Sequence, residues 1–404
     1  MSGHKGTTSL RSPDPSLRLA MAGDNAAMPT EPTKADPPKR KRRWFQFSLR
    51  TLLIFTTVVA LACGWLGSRI EQKRREREAA VAITEKGGWV WYDYYQTPSH
   101  LINENAEANG PRWLRGLLGQ NFFSEVDTIK WVGLVDRRPT QNNPLTDEDL
   151  ALVERFPNLR FLSLSYTNLA DSGLIHLKRL SKLKTLELAR TEIAGTGLEN
   201  LKALSQLETL SLWESKVTDD GLSHLAEMTQ LRSLGLESTA ISDAGLRHLR
   251  SLRQLEWLGL AEDNVTDTGI ECIKPLKSLK VLTLAGTRIT DAGLAHLTQL
   301  PSLQELWLGG TAITDKGLEA VSELKGLSTL VVSKTKVTDD GLSKLRTLDQ
   351  LTKLDLENDM ITDTGLAHLK DLPRLRELDL RWTKATAAGI YQLRKALPNC
   401  QITY

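Results

Sequence analysis

Glycine recurs at a fixed interval of 24 residues through the carboxyl-terminal part of this chain. The ten glycines stand at positions 173, 197, 221, 245, 269, 293, 317, 341, 365 and 389, and each is followed by Leu or Ile. A period without insertion or deletion indicates a repeat array, in which each unit contacts its neighbours and cannot bury its leucines alone. A stacked array also accounts for a length of 404 residues, which exceeds that of an ordinary domain.

Each repeat carries two kinds of hydrophobic spacing. A Leu-x-Leu triplet such as Leu186-Glu187-Leu188 precedes nine of the ten glycines, and this alternation sends two leucines to one face of a short strand. The glycine then opens a Gly-Leu-x-x-Leu-x-x-Leu segment, whose interval of three residues is typical of a helix. We therefore predict an α/β solenoid with a parallel sheet on its concave side and helices on its convex side.

Short polar residues occupy two further fixed positions in the repeat. Thr-Asp pairs before the glycine are expected to supply an N-cap hydroxyl or carboxylate to the helix: Thr218-Asp219, Thr290-Asp291, Thr314-Asp315 and Thr362-Asp363. A second ladder follows the strand and is expected to bond the backbone of the turn: Thr167, Thr191, Ser215, Thr239, Asp263, Thr287, Thr311, Thr335, Asp359 and Thr383. Both sets are interpreted as structural.

The unit L-x-x-L-x-L-x-x-T-x-I-T-D-x-G-L-x-x-L-x-x-L resembles the leucine-rich-repeat superfamily, whose units have ~20–29 residues. Its T-x-I-T-D-x-G-L segment is similar to the repeats of F-box adaptors and their bacterial relatives. We assign residues 145–404 to the array, with an aberrant first copy that has Asp149 at the glycine position. Nothing before the repeats resembles an F-box, which weakens the substrate-adaptor role that the resemblance would imply.

Four segments precede the array. Residues 1–43 are rich in small and polar residues and end in the basic run 39–43, so we predict a disordered basic tail. Residues 44–68 contain the uncharged stretch 51–68, which is long enough to cross a membrane as one helix. Residues 69–86 are predicted to form a charged helix, and residues 87–144 to form an amino-terminal cap over the first repeat.

The orientation and processing of the apolar segment have alternatives. Within about fifteen residues, six Lys or Arg precede it and five follow it, which places the repeats on the extracytoplasmic side by a small bias. Arg42-Arg43 resembles a twin-arginine export signal, and Ala60-Leu61-Ala62 before Cys63 resembles a cleavage site. FQFSLRTLL, the apolar helix, the charged helix and GGWVWYDY together resemble a bacterial family of membrane-anchored repeat proteins.

Residues beside the leucines of each strand are expected to face the concave side, because side chains alternate across a sheet. Nine aromatic or acidic residues are predicted to contact a partner there: Phe161, Tyr166, Trp213, Glu237, Trp257, Trp307, Asp355, Asp379 and Trp382. Aromatic residues are enriched where proteins bind, and an acidic face would select a basic or polar protein and repel nucleic acid. Alternatively, the tryptophans partly cover one another and the acids merely solvate the face.

The sequence contains no pattern that predicts catalysis. A phosphate loop, a nucleophile elbow and zinc-ligand spacings are absent from the sequence. Five repeats have a histidine three residues after the glycine, but the other five have Asn, Cys, Ala, Lys and Gln there, which argues against a metal ladder. We predict no enzyme activity, no cofactor and no metal. The favoured function is a membrane-tethered protein-interaction module, and the alternative is a structural, self-associating protein of the cell envelope.

Overall fold

The computed structural model describes residues 48–93, 107–131 and 145–404. The predicted tail (1–43) and the first residues of the predicted anchor lie outside this range. The chain divides into two compact units, residues 1–61 and residues 62–404. The predicted anchor and the predicted charged helix belong to one continuous helix, α1 (Leu49–Glu85).

A polar residue, Ser48, precedes helix α1, and a glycine, Gly87, follows its last turn. The Ser48 hydroxyl accepts a hydrogen bond from the amide of Thr51 at 3.2 Å, which satisfies one free amide of the first turn. Within the apolar stretch the Thr57 hydroxyl donates to the carbonyl of Leu53 at 2.8 Å, so this polar group is paired inside the helix. Gly87 then adopts a φ of +80°, a left-handed conformation that ends the helix.

Within the described residues, thirteen strands form one sheet in sequence order. β1 and β2 are antiparallel, and every later neighbour is parallel with the same residues of successive repeats side by side, as in Leu186 beside Leu210. The strands are β1 (Gly88–Tyr92), β2 (Val126–Trp131), β3 (Phe161–Ser163), β4 (Thr185–Glu187), β5 (Thr209–Ser211), β6 (Ser233–Gly235), β7 (Trp257–Gly259), β8 (Val281–Thr283), β9 (Glu305–Trp307), β10 (Thr329–Val331), β11 (Lys353–Asp355), β12 (Glu377–Asp379) and β13 (Gln401–Thr403).

Short helices return the chain from the end of one strand to the start of the next. The α-helices are α2 (Arg112–Leu118), α3 (Asp147–Leu150), α4 (Asp219–Leu222), α5 (Asp243–Leu246), α6 (Asp267–Ile273), α7 (Asp291–Leu297), α8 (Asp315–Val321), α9 (Asp339–Leu342), α10 (Asp363–Leu369) and α11 (Ala387–Ala396). Tighter 3-10 helices span Ala151–Arg155, Asp171–Leu177, Thr196–Ala203, Ser223–Leu225, Arg247–Ser251 and Ser343–Thr347. The predicted alternation of strand and helix is confirmed, and several of the predicted helices are 3-10 in whole or in part.

The leucines of strand and helix form one continuous core. Leu186 and Leu188 of one repeat and Leu198 and Leu201 of its helix are each 0% exposed, and the same positions are buried along the array. Each fully buried leucine contributes about 1.5–3 kcal/mol relative to an exposed one, so this regular core is the main stabilising term. Ile83 of α1 lies in the same core, so the end of α1 covers the first repeats together with β1 and β2.

An ion-pair network fixes the end of α1 to the cap. Lys73 Nζ donates to the Ser124 carbonyl at 2.6 Å and to carboxylate oxygens of Glu76 and Glu125 at 2.7 and 3.1 Å. Lys86 Nζ lies 2.5 Å from the carboxylate of Asp149, the residue that replaces the repeated glycine. The aberrant first copy therefore exchanges the glycine for an acid that pairs with Lys86, just after the last residue of α1.

Each strand from β3 to β12 is followed by a residue in the left-handed region, which the sequence pattern did not predict. These residues recur every 24 positions with φ between +51° and +72°: Tyr166, Arg190, Glu214, Ser238, Glu262, Gly286, Gly310, Lys334, Asn358 and Trp382. Most have a Cβ and are strained by about 1–2 kcal/mol each. Several of the ladder residues that follow offset part of this cost, as when the Thr191 hydroxyl, next to Arg190, donates to the Leu188 carbonyl at 2.7 Å.

Aspartate replaces threonine twice in this ladder, and both carboxylates are buried. Asp263 Oδ1 accepts from the amide and hydroxyl of Thr239 at 2.8 and 3.0 Å, and Asp359 Oδ1 accepts from those of Thr335 at 2.7 and 3.1 Å. Within the described chain, neither Oδ2 atom has a hydrogen-bond partner. Burial, aided by nearby carboxylates, raises the pKa of each aspartate to about 7.

A second aspartate, at the start of each helix, ties its repeat to the next one. Asp267 accepts from the amide and the hydroxyl of Thr290 at 2.8 and 2.6 Å. The same two bonds, at 2.5–2.8 Å, join Asp219 to Ser242, Asp243 to Thr266, Asp291 to Thr314, Asp315 to Thr338, Asp339 to Thr362 and Asp363 to Thr386. We call this pair the aspartate clamp. It holds the residue that begins the following helix.

The predicted N-caps are only partly correct. The hydroxyls of Thr290, Thr314 and Thr362 accept from the amide two residues on, at 3.2–3.3 Å, as an N-cap should. Thr218 makes no such bond, so that predicted cap is wrong. The aspartates of these pairs extend to the neighbouring repeat, because that repeat presents an amide and a hydroxyl at hydrogen-bonding distance.

The clamp explains why glycine recurs. A Cβ added at Gly293 would overlap Asp267 Oδ1, and the same overlap with a clamp aspartate arises at Gly245, Gly269, Gly317, Gly341, Gly365 and Gly389. Gly293 lies inside α7 at an ordinary φ, where alanine would be favoured by about 1 kcal/mol if there were space. The 24-residue period thus reflects close packing between repeats.

Gly293→Ala is expected to lower the free energy of unfolding by about 1–3 kcal/mol, because the new methyl group collides with the Asp267 carboxylate. When the chain already carries Asp267→Ala, the same substitution should be neutral or slightly stabilising, because alanine favours the helix. Chemical denaturation of the four proteins of this cycle measures the coupling. An equal cost of Gly293→Ala in both backgrounds would contradict the proposed collision.

The raised pKa values of Asp263 and Asp359 predict a pH-dependent stability. Below pH 7 the folded chain binds protons that an unfolded aspartate, with a pKa of ~3.9, releases, so the free energy of unfolding falls as pH rises from about 4 to 7. Asp263→Asn and Asp359→Asn retain the Oδ1 acceptor and remove the buried charge. Each should raise stability at pH 8 by about 1–3 kcal/mol, with little effect at pH 4. Denaturation curves that shift equally at both pH values would refute this explanation.

Candidate functional site

Two residues of each strand, the first and the third, point away from the core because side chains alternate across a sheet. The leucine between them is buried, and so is the second leucine that follows the strand. The residue after that second leucine returns to the outer side and completes a three-column surface. We call this surface the sheet face.

Seven of the nine predicted contact residues lie on the sheet face. Phe161 and Trp257 are first residues of β3 and β7, and Trp307, Asp355 and Asp379 are third residues of β9, β11 and β12. Trp213 and Glu237 occupy the column after the second leucine. All seven are half-buried.

Tyr166 and Trp382 lie along the edge of the sheet face, at the left-handed turn position that follows it, and Arg190 and Glu214 share this position. Tyr166 is half-buried against its neighbours, whereas Trp382 is 79% exposed at the far end of the array. Both residues were predicted to lie beside the strand, because no single residue type marks the left-handed turn position in the sequence. Trp382 is therefore far along the chain from the other aromatic residues that were predicted to contact a partner. It forms no ring pair with a described residue.

The first cluster on this surface combines two rings with one cation. Arg190 lies 5.2 Å from the ring centres of both Tyr166 and Trp213, and the two rings meet edge to face at 5.7 Å. Arg190 also forms a two-point ion pair with Glu214, at 2.5 and 2.7 Å. Sequence analysis missed the roles of Arg190 and Glu214, although their spacing of 24 residues places them side by side.

Next to this cluster lies an open depression of about 650 Å³ between Trp213 and Trp257. Gly235, the third residue of β6, lines it, and Gly259, the third residue of β7, lies beside Gly235 in the sheet. The carboxylate of Glu237 extends over both, since a Cβ at Gly235 would lie 3.1 Å from Glu237 Oε2 and one at Gly259 would collide with Oε1. These glycines create the space that the acid occupies.

Glu237 is the carboxylate of this depression, and it lacks a counterion. Burial raises its pKa above the ordinary value, while a hydrogen bond from its own backbone amide opposes that shift. Among the described residues, no lysine or arginine lies within ion-pair distance of Glu237, unlike Glu214 in the first cluster. The depression therefore presents two aromatic rings and an unpaired acid.

A third group, of acids, lies near the end of the array. Carboxylate oxygens of Asp355, Glu357 and Asp379 lie within 4.8 Å of one another. Arg381 bonds to Glu357 and to Asp379, each at 2.7 Å, and so neutralises part of this charge. Burial raises the pKa of Asp355, and its acidic neighbours add to the shift. This group is a polar, partly compensated end of the sheet face.

The tryptophans cover one another less than the alternative interpretation requires. Trp213 packs against Tyr166, but Trp257 and Trp307 form no ring pair with any described residue. Phe161 lies under the Lys130 ammonium group, which is 5.0 Å from its ring centre. The sheet face thus has an internally paired end around Phe161 and Tyr166 and an unpaired centre around Trp257 and Trp307.

Comparisons with known proteins agree with this architecture. A family model described as "Leucine Rich repeat" matches residues 157–178 and 299–322. The solved structure of an internalin from Listeria monocytogenes is similar with a TM-score of 0.52 and 28% identity, over 65% of this chain and 71% of that one. The structure of the mouse RP105/MD-1 complex has a TM-score of 0.50 and 23% identity, over 63% of this chain and 44% of that one.

No curated protein matches this chain in sequence. The family model, the solved structures, the in-register parallel sheet and the 24-residue period nevertheless support one assignment. The fold of this chain is a leucine-rich-repeat solenoid.

Proposed function

We propose that this protein is a membrane-tethered interaction module that binds a protein partner through its sheet face. Leucine-rich-repeat folds commonly mediate contacts between proteins, and a similar solved structure is a complex of RP105 with MD-1. The observation that carries the proposal is the centre of the sheet face, where Trp257 and Trp307 are half-buried and without ring partners. Aromatic side chains on a rigid surface are enriched at protein interfaces.

The charges of the sheet face favour a basic or polar partner. Glu237 lacks a counterion, and the acids around Asp355 are compensated in part by Arg381. An acidic surface attracts a basic segment and disfavours the phosphates of nucleic acid. The paired cluster of Tyr166, Arg190 and Trp213 would border the contact as a preformed wall, since its side chains are already fixed by one another.

The tether in this proposal is residues 51–68 of α1. This part of the helix is long and apolar enough to cross a membrane, by length and composition. Its side chains are exposed, including Phe55 and Leu61, which a lipid environment would cover. The greater number of Lys and Arg before the segment favours repeats on the extracytoplasmic side, in a bacterial single-span protein.

Capture of a partner by the full chain from detergent-solubilised membranes tests both parts of the proposal. The chain should stay in the membrane after alkaline extraction, and the variant Trp257→Ala/Trp307→Ala should lose at least about tenfold of the captured partner. The matched control is Tyr391→Ala, an exposed aromatic on α11. It should capture as the unchanged chain does.

Two outcomes would contradict the proposal. Capture that survives the double substitution would exclude the centre of the sheet face as the contact. A chain that captures only copies of itself would favour the alternative of a self-associating envelope protein. Extraction of the chain by alkali would separately overturn the membrane tether.

A further inference from the structure

The first cluster of the sheet face shows how this surface holds a cation. The Arg190 guanidinium lies 5.2 Å from each of two ring centres, Tyr166 and Trp213, and is paired to the Glu214 carboxylate. Rings supply the attraction between a cation and a π-face, and the carboxylate supplies one charge-assisted hydrogen bond, from Arg190 Nη2, and a close ionic contact with Nε. Three kinds of group therefore meet there: a cation, aromatic rings and an acid.

The depression beside it has the same groups except the cation. Trp213 and Trp257 flank it, and Glu237 lies between them over the two glycines. The Gly235 floor is open toward Ser211, whose hydroxyl would lie 3.5 Å from a Cβ at that glycine, so a hydroxyl acceptor is also at hand. No described lysine or arginine approaches Glu237 within ion-pair distance.

The other acids nearby differ in ways that matter. Glu214 already holds Arg190, and Glu262 is exposed at a turn, so neither offers a free acid beside two rings. Glu237 is half-buried and partly removed from water, which strengthens its interaction with a cation that reaches it. A carboxylate that is protonated or fully hydrated would attract a cation less strongly, even beside two aromatic rings.

We infer that the depression of Trp213, Glu237 and Trp257 is a recognition pocket for one arginine side chain of the partner protein. The inference rests on the proposed function and specifies which group of the partner the sheet face selects. The guanidinium would pair with Glu237 and lie against the rings, as Arg190 does one strand earlier. Arginine is favoured over lysine because its planar fork matches a carboxylate and stacks on aromatic rings.

Fluorine NMR of the full chain in detergent, labelled with 5-fluorotryptophan, tests the pocket with defined probes. The probes are the peptide acetyl-Ala-Ala-Arg-Ala-Ala-amide and the same peptide with citrulline, which has nearly the shape of arginine and no charge. The arginine peptide should shift the Trp213 and Trp257 resonances saturably, and the citrulline peptide should bind at least about tenfold more weakly. A lysine peptide should fall between them.

The variant Glu237→Gln should weaken binding of the arginine peptide about tenfold or more, to the level of the citrulline peptide. The matched control Glu262→Gln removes an exposed acid one turn along and should change nothing. The resonance of Trp131, which is 3% exposed in the core, reports whether each variant is folded. If Glu237→Gln disturbs that resonance, Trp257→Ala provides the second test, with a severalfold loss expected.

Equal binding of the arginine and citrulline peptides, or unchanged binding by folded Glu237→Gln, would overturn the inference. Partner capture that depends on Trp257 and Trp307 but not on Glu237 would overturn the arginine pocket and leave the proposed function intact. Arginine-selective shifts without any captured partner would support the arginine pocket and overturn the proposed function.

Discussion

The aspartate clamp and the glycine beneath it set the spacing on which the rest of this structure depends. Asp267 receives two hydrogen bonds from Thr290 of the next repeat, and Gly293 leaves the space in which its carboxylate lies. Hydrogen bonds to a charged group contribute about 1.5–3 kcal/mol each at most, but seven successive clamps apply the same restraint. Neighbouring repeats are thereby held at one distance and in one register.

That register gives the sheet face its order. Because each strand from β3 onward is three residues long and pairs with the equivalent residues of its neighbour, every side chain of the face there is next to its counterpart 24 positions away. Two glycines at one column leave room for the carboxylate of a glutamate two residues after the first of them, beside an open depression. Differences at a few surface positions can therefore place a cluster that contains an arginine beside a pocket that lacks one, while the buried core stays the same.

Much of the fold could be predicted from the sequence, because hydrophobic spacing determines which residues are buried. The Leu-x-Leu strands, the helical stripe and the ladder hydroxyls that bond a strand carbonyl, such as that of Thr287, follow from periodicity and turn chemistry. The left-handed turns could not be predicted, because ten different local sequences adopt one conformation that their neighbours impose. The hydrogen-bond partners of the clamp aspartates lie in the adjacent repeat. A rule for capping within one helix does not consider that repeat.

The candidate site was predictable in part for the same reason. Alternation places Trp257, Trp307 and Glu237 on one face, but it does not reveal which acids have counterions. The position of Arg190 between Tyr166 and Trp213 depends on a turn conformation that the sequence does not encode in a motif. The paired and unpaired regions of the face are visible once these contacts are placed in three dimensions.

The central claim is that the sheet face, and not the helix side, is the surface that meets the partner. Hydroxyl-radical footprinting of the full chain, with and without its captured partner, tests this claim by comparing oxidation rates of individual side chains. Protection should appear at Trp257 and Trp307, while Ile175 and Tyr391 on the helix side, which are 52% and 57% exposed, react at unchanged rates. Protection of Ile175 and Tyr391 with unaltered oxidation of Trp257 and Trp307 would contradict it.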